Sequence, residues 1–380
     1  MKKLCYITTK SITIKSFVLK SIEFLHNQTD WDFSIICDED DVFADSLPSY
    51  IHYYPVRMER GISFSGLKAI NQIKKIFKKE KFDLIQYSTP NASLYASIAG
   101  WMAKMPIRLY CQWGIAYVGF QGIKRKIFKT IEKLVCKLST HIQPDSFSNL
   151  NFATTQNLYS AKKGTVIGRG SACGVDLEKF NFIKKEQFRN KIRKKYAIDE
   201  NTFVFGFVGR INRDKGINEL FSAIKLFLQE REAVLLIVGS EEKDERLNKQ
   251  LLDWAHKDER IIFCGHTDSV ECYIAAMDCF ILPSYREGFG TSVIEAEAMG
   301  VPVIVTDIPG PIDAMQQQTT GYKITKGSTD ELLNTMKLLY ESDRRSEMGK
   351  NGVEFVKENF EQNQLFYNIL QNRKDLLGIE

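Results

Sequence analysis

CFILPSYREGFGTSVIEAEAMGVPVIV, residues 279–305, is the stretch whose reading decides the fold. Its apolar run, Cys279 to Leu282, stops at Pro283, and a polar loop follows with Arg286, Glu287, Gly288, Phe289 and Gly290. Thr291 and Ser292 open a helix, and residues 301–305 form the next buried strand. Strand, glycine loop, helix start, strand is the order of an open α/β sheet, where such a loop lies at the carboxyl edge and binds ligands. Free backbone N–H groups at a helix start favour an anion, above all a phosphate. Glu287 stands before the helix and Glu295 about one turn inside it, so both carboxylates can face one ligand from different heights. A plainer reading stands beside this one. Ser292-x-x-Glu295 fits a capping box, in which Glu295 bonds back to the helix start, and Glu287 would be a solvated loop acid.

The spacing of the two acids around Gly-Phe-Gly favours the ligand. Glu287-Gly-Phe-Gly-Thr-Ser-Val-Ile-Glu295 resembles the E-x7-E signature of the retaining GT-B glycosyltransferases of family 4. The flanking P-S-x-x-E-G-x-G, E-A-x-A-M-G-x-P-V and T-G-Y pieces resemble that family too. Upstream, an apolar strand over 203–208 leads into Gly209-Arg210-Ile-Asn-Arg213-Asp-Lys215-Gly216 and a helix from about Ile217, which resembles the family's G-R-x-x-x-x-K-G. Arginine offers a planar fork and lysine a compact point charge, a good pyrophosphate grip. Arg213 falls between the matched positions.

The resemblance spans about residues 108–357 and is strongest over 203–216 and 263–323. It implies an α/β GT-B architecture: two Rossmann-like domains facing across a cleft, with an acceptor-binding domain over 1–175 and a nucleotide-sugar-binding domain over 176–360. A last helix within 361–380 would cross back to the first domain. It further implies a retaining, metal-independent hexosyltransferase with no cofactor beyond its UDP-sugar donor. Arg210 and Lys215 would neutralise the departing diphosphate and Glu287 would hold a sugar hydroxyl. Glu295 would bind the ribose, assisted at the donor by Gly209, Gly265, His266, Thr267, Gly288, Phe289, Gly290, Thr291 and Ser292. An Asp-x-Asp metal site is not required. Asp38-Glu-Asp40 matches one by letter, but acidic triplets are usually solvated turns.

The first half departs from the family in two places. Thr8-Thr9-Lys10-Ser11 stands where many members carry a glycine pair and then a histidine. Short hydroxyls there could line a sugar pocket, or Ser11 could cap a helix. In Gln112-Trp113-Gly114, tryptophan replaces the histidine usually found before this glycine, near the reacting sugar. Ser11, Gln112, Trp113 and Gly114 are the acceptor-side or sugar-pocket candidates. Alternation predicts strands over 4–8, 33–37, 52–56, 84–87, 108–111, 140–143 and 165–167, with helices over 12–26, 66–80, 91–103, 122–138 and 147–157. Further helices are expected over 329–341, 344–358 and 362–375. Gly168-Arg-Gly170-Ser-Ala-Cys-Gly174 is no dinucleotide fingerprint, because its third glycine is one place late and no helix follows.

At 380 residues the chain is long for one core, and 44% hydrophobic with 26% charged residues is the composition of an ordinary globular protein. Eight scattered cysteines, with no C-x-x-C pair, read as buried thiols of a reducing cytoplasm. No apolar run reaches the roughly 18–20 residues needed to span a bilayer. The net charge of +5 is uneven: residues 1–170 carry +11 and the remainder −6. Over 122–138, Ile123, Ile127, Ile131, Leu134 and Leu138 form one stripe, expected against the sheet, with six basic residues on the rest. With Lys74, Lys75, Lys78, Lys79 and Lys81, this suits an anionic membrane surface; no recognition motif points to nucleic acid. The expected enzyme is therefore cytoplasmic, on the inner face of the plasma membrane, and adds one sugar to a lipid-linked saccharide in capsular, O-antigen or exopolysaccharide synthesis. A GT-B nucleotide-sugar epimerase and an inactive sugar-nucleotide-binding partner subunit are the alternative readings.

Overall fold

The computed structural model describes residues 1–58 and 64–379, with the side chain of Phe64 outside the description. The chain divides into two units: Met1–Cys173 together with the segment from Asn363 onward, and Gly174–Gln362. Each holds one six-stranded, all-parallel sheet.

The first sheet contains β1 (Lys3–Ile7), β2 (Asp32–Cys37), β3 (Ile51–Pro55), β4 (Leu84–Tyr87), β5 (Ile107–Gln112) and β6 (His141–Pro144), in the order β3-β2-β1-β4-β5-β6. Leu4 pairs with Phe33 on one side and Leu84 on the other, so the strand order reverses between β1 and β4. The central strands β1 and β4 are buried and apolar apart from Lys3 at the start of β1 and the amide of Gln86 in β4, close to what burial on both faces requires. One face is covered by α1 (Ser11–Phe17), α2 (Leu19–Gln28) and the chain's last helix, which packs here through Leu370 and Leu377. A short α3 (Asp41–Ser46) follows β2. The other face is covered by α4 (Phe64–Glu80), α5 (Pro90–Met102) and α6 (Gly122–Leu138), followed by α7 (Phe147–Thr155).

The second sheet contains β7 (Val204–Val208), β8 (Val234–Val238), β9 (Ile261–Gly265), β10 (Cys279–Leu282), β11 (Val303–Thr306) and β12 (Gly321–Ile324), in the order β12-β11-β10-β7-β8-β9. Its helices are α8 (Lys185–Lys195), α9 (Ile217–Phe227), α10 (Lys249–Lys257), α11 (Val270–Ala275), α12 (Thr291–Ala298), α13 (Thr329–Glu341) and α14 (Arg345–Asn359); α15 (Gln362–Leu377) is the helix of the first unit. Phe205 pairs with Leu235 in β8 and Cys279 in β10. The strand order reverses between β7 and β10.

Four expectations from the sequence need correction. The segment 165–167 is no strand: only an isolated bridge joins Gly164 to Ile142 of β6. The helix expected over 12–26 is two helices broken at Val18, and α3 was not foreseen. Ser11 is the first residue of α1 rather than its cap, which is Lys10. In α6 the stripe does not all face the sheet. Ile123 is 77% exposed and Ile127 45%, whereas Glu132 is buried with Val135 and Cys136. The physical reason is the partner of Glu132, whose carboxylate accepts from the Tyr110 hydroxyl (3.0 Å) and from Gln112 Nε2 (2.6 Å). A buried carboxyl with two donors holds this face of the helix inward, and its pKa is raised by burial despite them.

Candidate active site

The two loops that the sequence singles out meet at the switch point of the second sheet, where the crevice of an open α/β sheet lies. One follows β7 and carries Gly209, Arg210 and Lys215; the other follows β10 and carries Glu287 to Gly290. Because β7 and β10 are neighbours, residues 72 apart in sequence stand side by side.

The first loop tightens into a 3-10 turn over Arg213–Lys215, capped by Asn212, whose side chain accepts from the Lys215 N–H. Asn212 in turn donates to Glu242 Oε2 (2.7 Å), and Arg210 Nη1 reaches Glu242 Oε1 (2.8 Å) from an exposed position. Gly216 then turns left-handed (φ 72°) so that α9 can start. A Cβ there would lie 2.0 Å from the Pro283 carbonyl oxygen, so only glycine permits the two loops to touch.

Lys215 Nζ lies 2.5 Å from Glu287 Oε1, which also accepts from Ser284 Oγ (2.7 Å). Both side chains are largely buried, at 19% and 11% exposure. The lysine and the acid that the family resemblance assigns to phosphate and sugar are therefore partners of one another. Around them the loops are stapled together. Tyr285 N–H donates to the Asp214 carbonyl (2.8 Å), and Arg286 makes a two-nitrogen contact with Asp214 Oδ2 (3.0 and 2.7 Å). Arg213 forks onto Glu219 (2.6 and 2.9 Å), donates to the Tyr285 hydroxyl (2.7 Å) and stacks 4.2 Å over its ring. The Tyr285 hydroxyl passes a hydrogen bond back to Glu219 Oε1 (2.8 Å). Burial raises the Asp214 carboxyl, but Arg286 and Arg246 outweigh it and hold the group below the usual carboxylate range.

Sequence reading passed over Glu219, Tyr285 and Asp214 as site-forming residues, and Arg213 proves a fastener rather than a free cation. Asn212 alone left a local signal, as a capping side chain ahead of a turn. Glu219→Gln is expected to lower stability by about 1–3 kcal/mol, since one fork of the guanidinium loses its charged partner. It should also lower kcat roughly tenfold with little change in donor KM, because the loops shift rather than lose a donor contact. Steady-state kinetics beside thermal unfolding checks both; an unchanged kcat would leave the staple no role in catalysis.

Helix α12 begins at Thr291, with Gly290 (φ 90°) as its cap residue and no side-chain capping bond. The capping-box reading of Ser292 and Glu295 therefore fails, since Ser292 is already inside the helix. The Glu295 carboxylate takes no hydrogen bond or ion pair from the described residues. Burial pushes its pKa up to about 7, against the pull of Lys179 and with a further push from Glu271. Thr291 and Ser292 are partly exposed at the helix start, and the Phe289 ring is core, 5.2 Å from Phe360. Gly265 ends β9, and His266 is exposed on the loop after it, followed by Thr267, which accepts from Ser269 N–H.

The first-unit candidates fare differently. Gln112 is fully buried; it donates to Glu132 and accepts from the Tyr159 hydroxyl (2.9 Å). It is a core residue and leaves the sugar-pocket list, because its amide is already spent on both sides. The Ser11 hydroxyl donates to Asp40 Oδ2 (2.6 Å) and its N–H donates to Asp38 Oδ1 (2.9 Å). Asp40 also caps α3, and Asp38 pairs with Lys10 (2.7 Å), so this acidic triplet is structural. Trp113 packs 5.7 Å from Phe17, half-buried, and Gly114 follows with φ 90°. Among the described residues no cluster of His, Cys, Asp or Glu could hold a metal ion.

Two family models match: "Glycosyl transferases group 1" over residues 188–355 and "Glycosyl transferase 4-like" over residues 3–146. The capsular polysaccharide biosynthesis glycosyltransferase CapM of Staphylococcus aureus is 30% identical over 362 residues, 94% of this chain and 93% of CapM. The UDP-Gal:alpha-D-GlcNAc-diphosphoundecaprenol alpha-1,3-galactosyltransferase of Escherichia coli is 26% identical, covering 88% of this chain and 86% of its own. Among solved structures, Anabaena HepE in complex with UDP and glucose matches with a TM-score of 0.77 at 18% identity, over 98% of this chain and all of that one. A likeness at that identity speaks for the fold, which is GT-B.

Proposed function

Since the chain belongs to the group 1 glycosyltransferases, we propose that it is a retaining, metal-independent enzyme moving a hexose or N-acetylhexosamine from a UDP-sugar to a lipid-linked saccharide in surface polysaccharide synthesis. The observation that carries this reading is the Lys215–Glu287 pair at the switch point of the second sheet. A diphosphate entering that crevice meets Lys215, already held there by its pairing with one carboxylate. Arg210 stands on the same loop, and the bare N–H groups at the start of α12 add partial positive charge. As the glycosidic bond breaks, negative charge grows on the leaving diphosphate. Fixed cations aimed at that charge are the largest single contribution such a site can make. Glu287 is assigned to a sugar hydroxyl, and Glu295, with its uncommitted carboxylate, to the ribose hydroxyls. The lipid-linked acceptor rests on the relatives, two of which bear diphosphoundecaprenol acceptors in their names.

The Glu295 assignment has a pH consequence. Ribose hydroxyls donate, so the donor prefers the carboxylate over the acid. With a free-protein pKa of about 7, binding must expel a proton below that pH and need not above it. Affinity for a UDP-sugar should therefore rise as pH increases from about 6 towards 7 and level off near 8. Glu295→Gln should bind more weakly and lose this dependence. Calorimetric titration across that range checks it, and a flat wild-type profile would contradict the assignment.

The proposal also places the first unit on an anionic membrane surface. Among the described residues no helix is long and apolar enough to cross a membrane. The opening turns of α6 instead present Ile123 and Ile127 among exposed Lys124, Arg125 and Lys126. Lys124→Gln with Lys126→Gln is expected to weaken partition to vesicles containing anionic lipid about 30-fold, at about 1 kcal/mol per basic residue. Co-sedimentation with those vesicles, against neutral ones, measures it; unchanged partition would remove α6 from the membrane contact.

The experiment that tests the activity is incubation with a panel of UDP-sugars, followed by NMR. Release of UDP with transfer or slow hydrolysis of one sugar supports the reading. Conversion of one UDP-sugar into another would make the protein an epimerase. Bound UDP without turnover, even with a lipid-linked acceptor, would make it a binding subunit.

A further inference from the structure

We propose that the first unit holds a built site for one small monovalent anion of chloride size, between the sheet and α15. The site shares no residue with the donor loops and is independent of the proposed activity. It rests on Arg373 of α15, the largest fully buried side chain among the described residues at 1% exposure. Its Nη2 donates to Gln86 Oε1 (2.9 Å) and Gln143 Oε1 (2.7 Å), and its Nη1 to Asn372 Oδ1 (2.5 Å). All three acceptors are neutral, and among the described residues no carboxylate pairs with the guanidinium. Buried charges in proteins are paired, because neutral amides return too little of the lost hydration.

Two further groups point to what completes the pairing. Arg373 Nε–H is buried with no partner, and so is the hydroxyl of Tyr6, itself 2% exposed. Arg373 and Tyr6 line one cavity, together with Ser21, Gln86, Gln143 and Trp113. Its volume of about 10 Å³ is that of a single water-sized group. Two unfilled donors could be met by a water, but a water leaves the positive charge uncompensated. A monatomic anion meets both donors and the charge, whereas phosphate, sulfate or a carboxylate is too large for the space. Tyr6 comes from β1, Gln86 from β4, Gln143 from β6 and Arg373 from α15, so an anion here ties the last helix to three strands of the sheet.

Thermal unfolding of the full chain, titrated with sodium chloride or bromide against sodium gluconate at equal ionic strength, tests the site. Site binding raises Tm with halide beyond the screening response, following the logarithm of one plus concentration over Kd. Gluconate, too large to enter, gives only the screening response. Tyr6→Phe keeps the ring but deletes one donor and is expected to weaken halide about tenfold. Arg373→Met should lose the halide response altogether; should that variant not fold, Tyr6→Phe decides. Crystals soaked in bromide are expected to show an anomalous peak between Arg373 Nε and the Tyr6 hydroxyl. Superimposable chloride and gluconate curves, a wild-type response from Tyr6→Phe, or a water in place of bromide would overturn the proposal.

Discussion

Replacing Lys215 with alanine is expected to lower kcat by about 10²–10³-fold, the usual loss when one preorganised electrostatic group is taken from a reacting centre. Two effects combine. The cation that meets the leaving diphosphate is gone, and Glu287, 11% exposed, is left as an uncompensated carboxylate facing an incoming anion. The second effect is separable. In the double variant Lys215→Ala with Glu287→Gln the repulsive charge is removed, so the combined loss should be smaller than the product of the two single losses. Arg210→Ala should cost less, because Arg210 sits exposed against Glu242. A Lys215→Ala enzyme with wild-type kcat would end the assignment.

Gly216→Ala is expected to have an effect of similar size by a different route. The added methyl group would stand 2.0 Å from the Pro283 carbonyl oxygen, a backbone atom at the head of the Glu287 loop. The left-handed conformation adds a strain of about 1–2 kcal/mol for any L-residue. The loops must part, and a displacement of about 1 Å between Lys215 and Glu287 can by itself cost on the order of 10²-fold in rate. The variant should fold with a lowered Tm and a kcat reduced about 100-fold, measured by unfolding and steady-state assay together. Full activity would show that the contact between the loops does not matter to chemistry.

The sequence disclosed the second unit well, and for a physical reason. Its central strands β7, β8, β10 and β11 are largely buried and read as nearly unbroken apolar runs, and Gly290 before α12 marks a left-handed turn that favours glycine. Lys215 and Glu287 were legible as candidates, but their pairing was not. It depends on β7 lying beside β10, a non-local contact that no spacing encodes. Glu219 and Tyr285 stayed hidden for the same reason.

The first unit was harder to read. Gln112 looked like a sugar-facing amide because it adjoins Trp113 and a glycine, yet burial beside Glu132 turns it inward. The stripe of isoleucines in α6 obeys helical periodicity and still points partly to solvent. Periodicity gives the faces of a helix, and only the packed neighbours, here Tyr110 and Gln112 around Glu132, decide which face is buried.

In the reading proposed for this protein, the loops after β7 and β10 bind a nucleotide sugar and transfer its sugar with retention. The most direct test is to supply a UDP-sugar with a lipid-linked saccharide acceptor and read the anomeric proton of the product by NMR. The expected result is UDP release and a product with the anomeric configuration of the donor, both lost in Lys215→Ala. An inverted product, or turnover undiminished in Lys215→Ala, would contradict it.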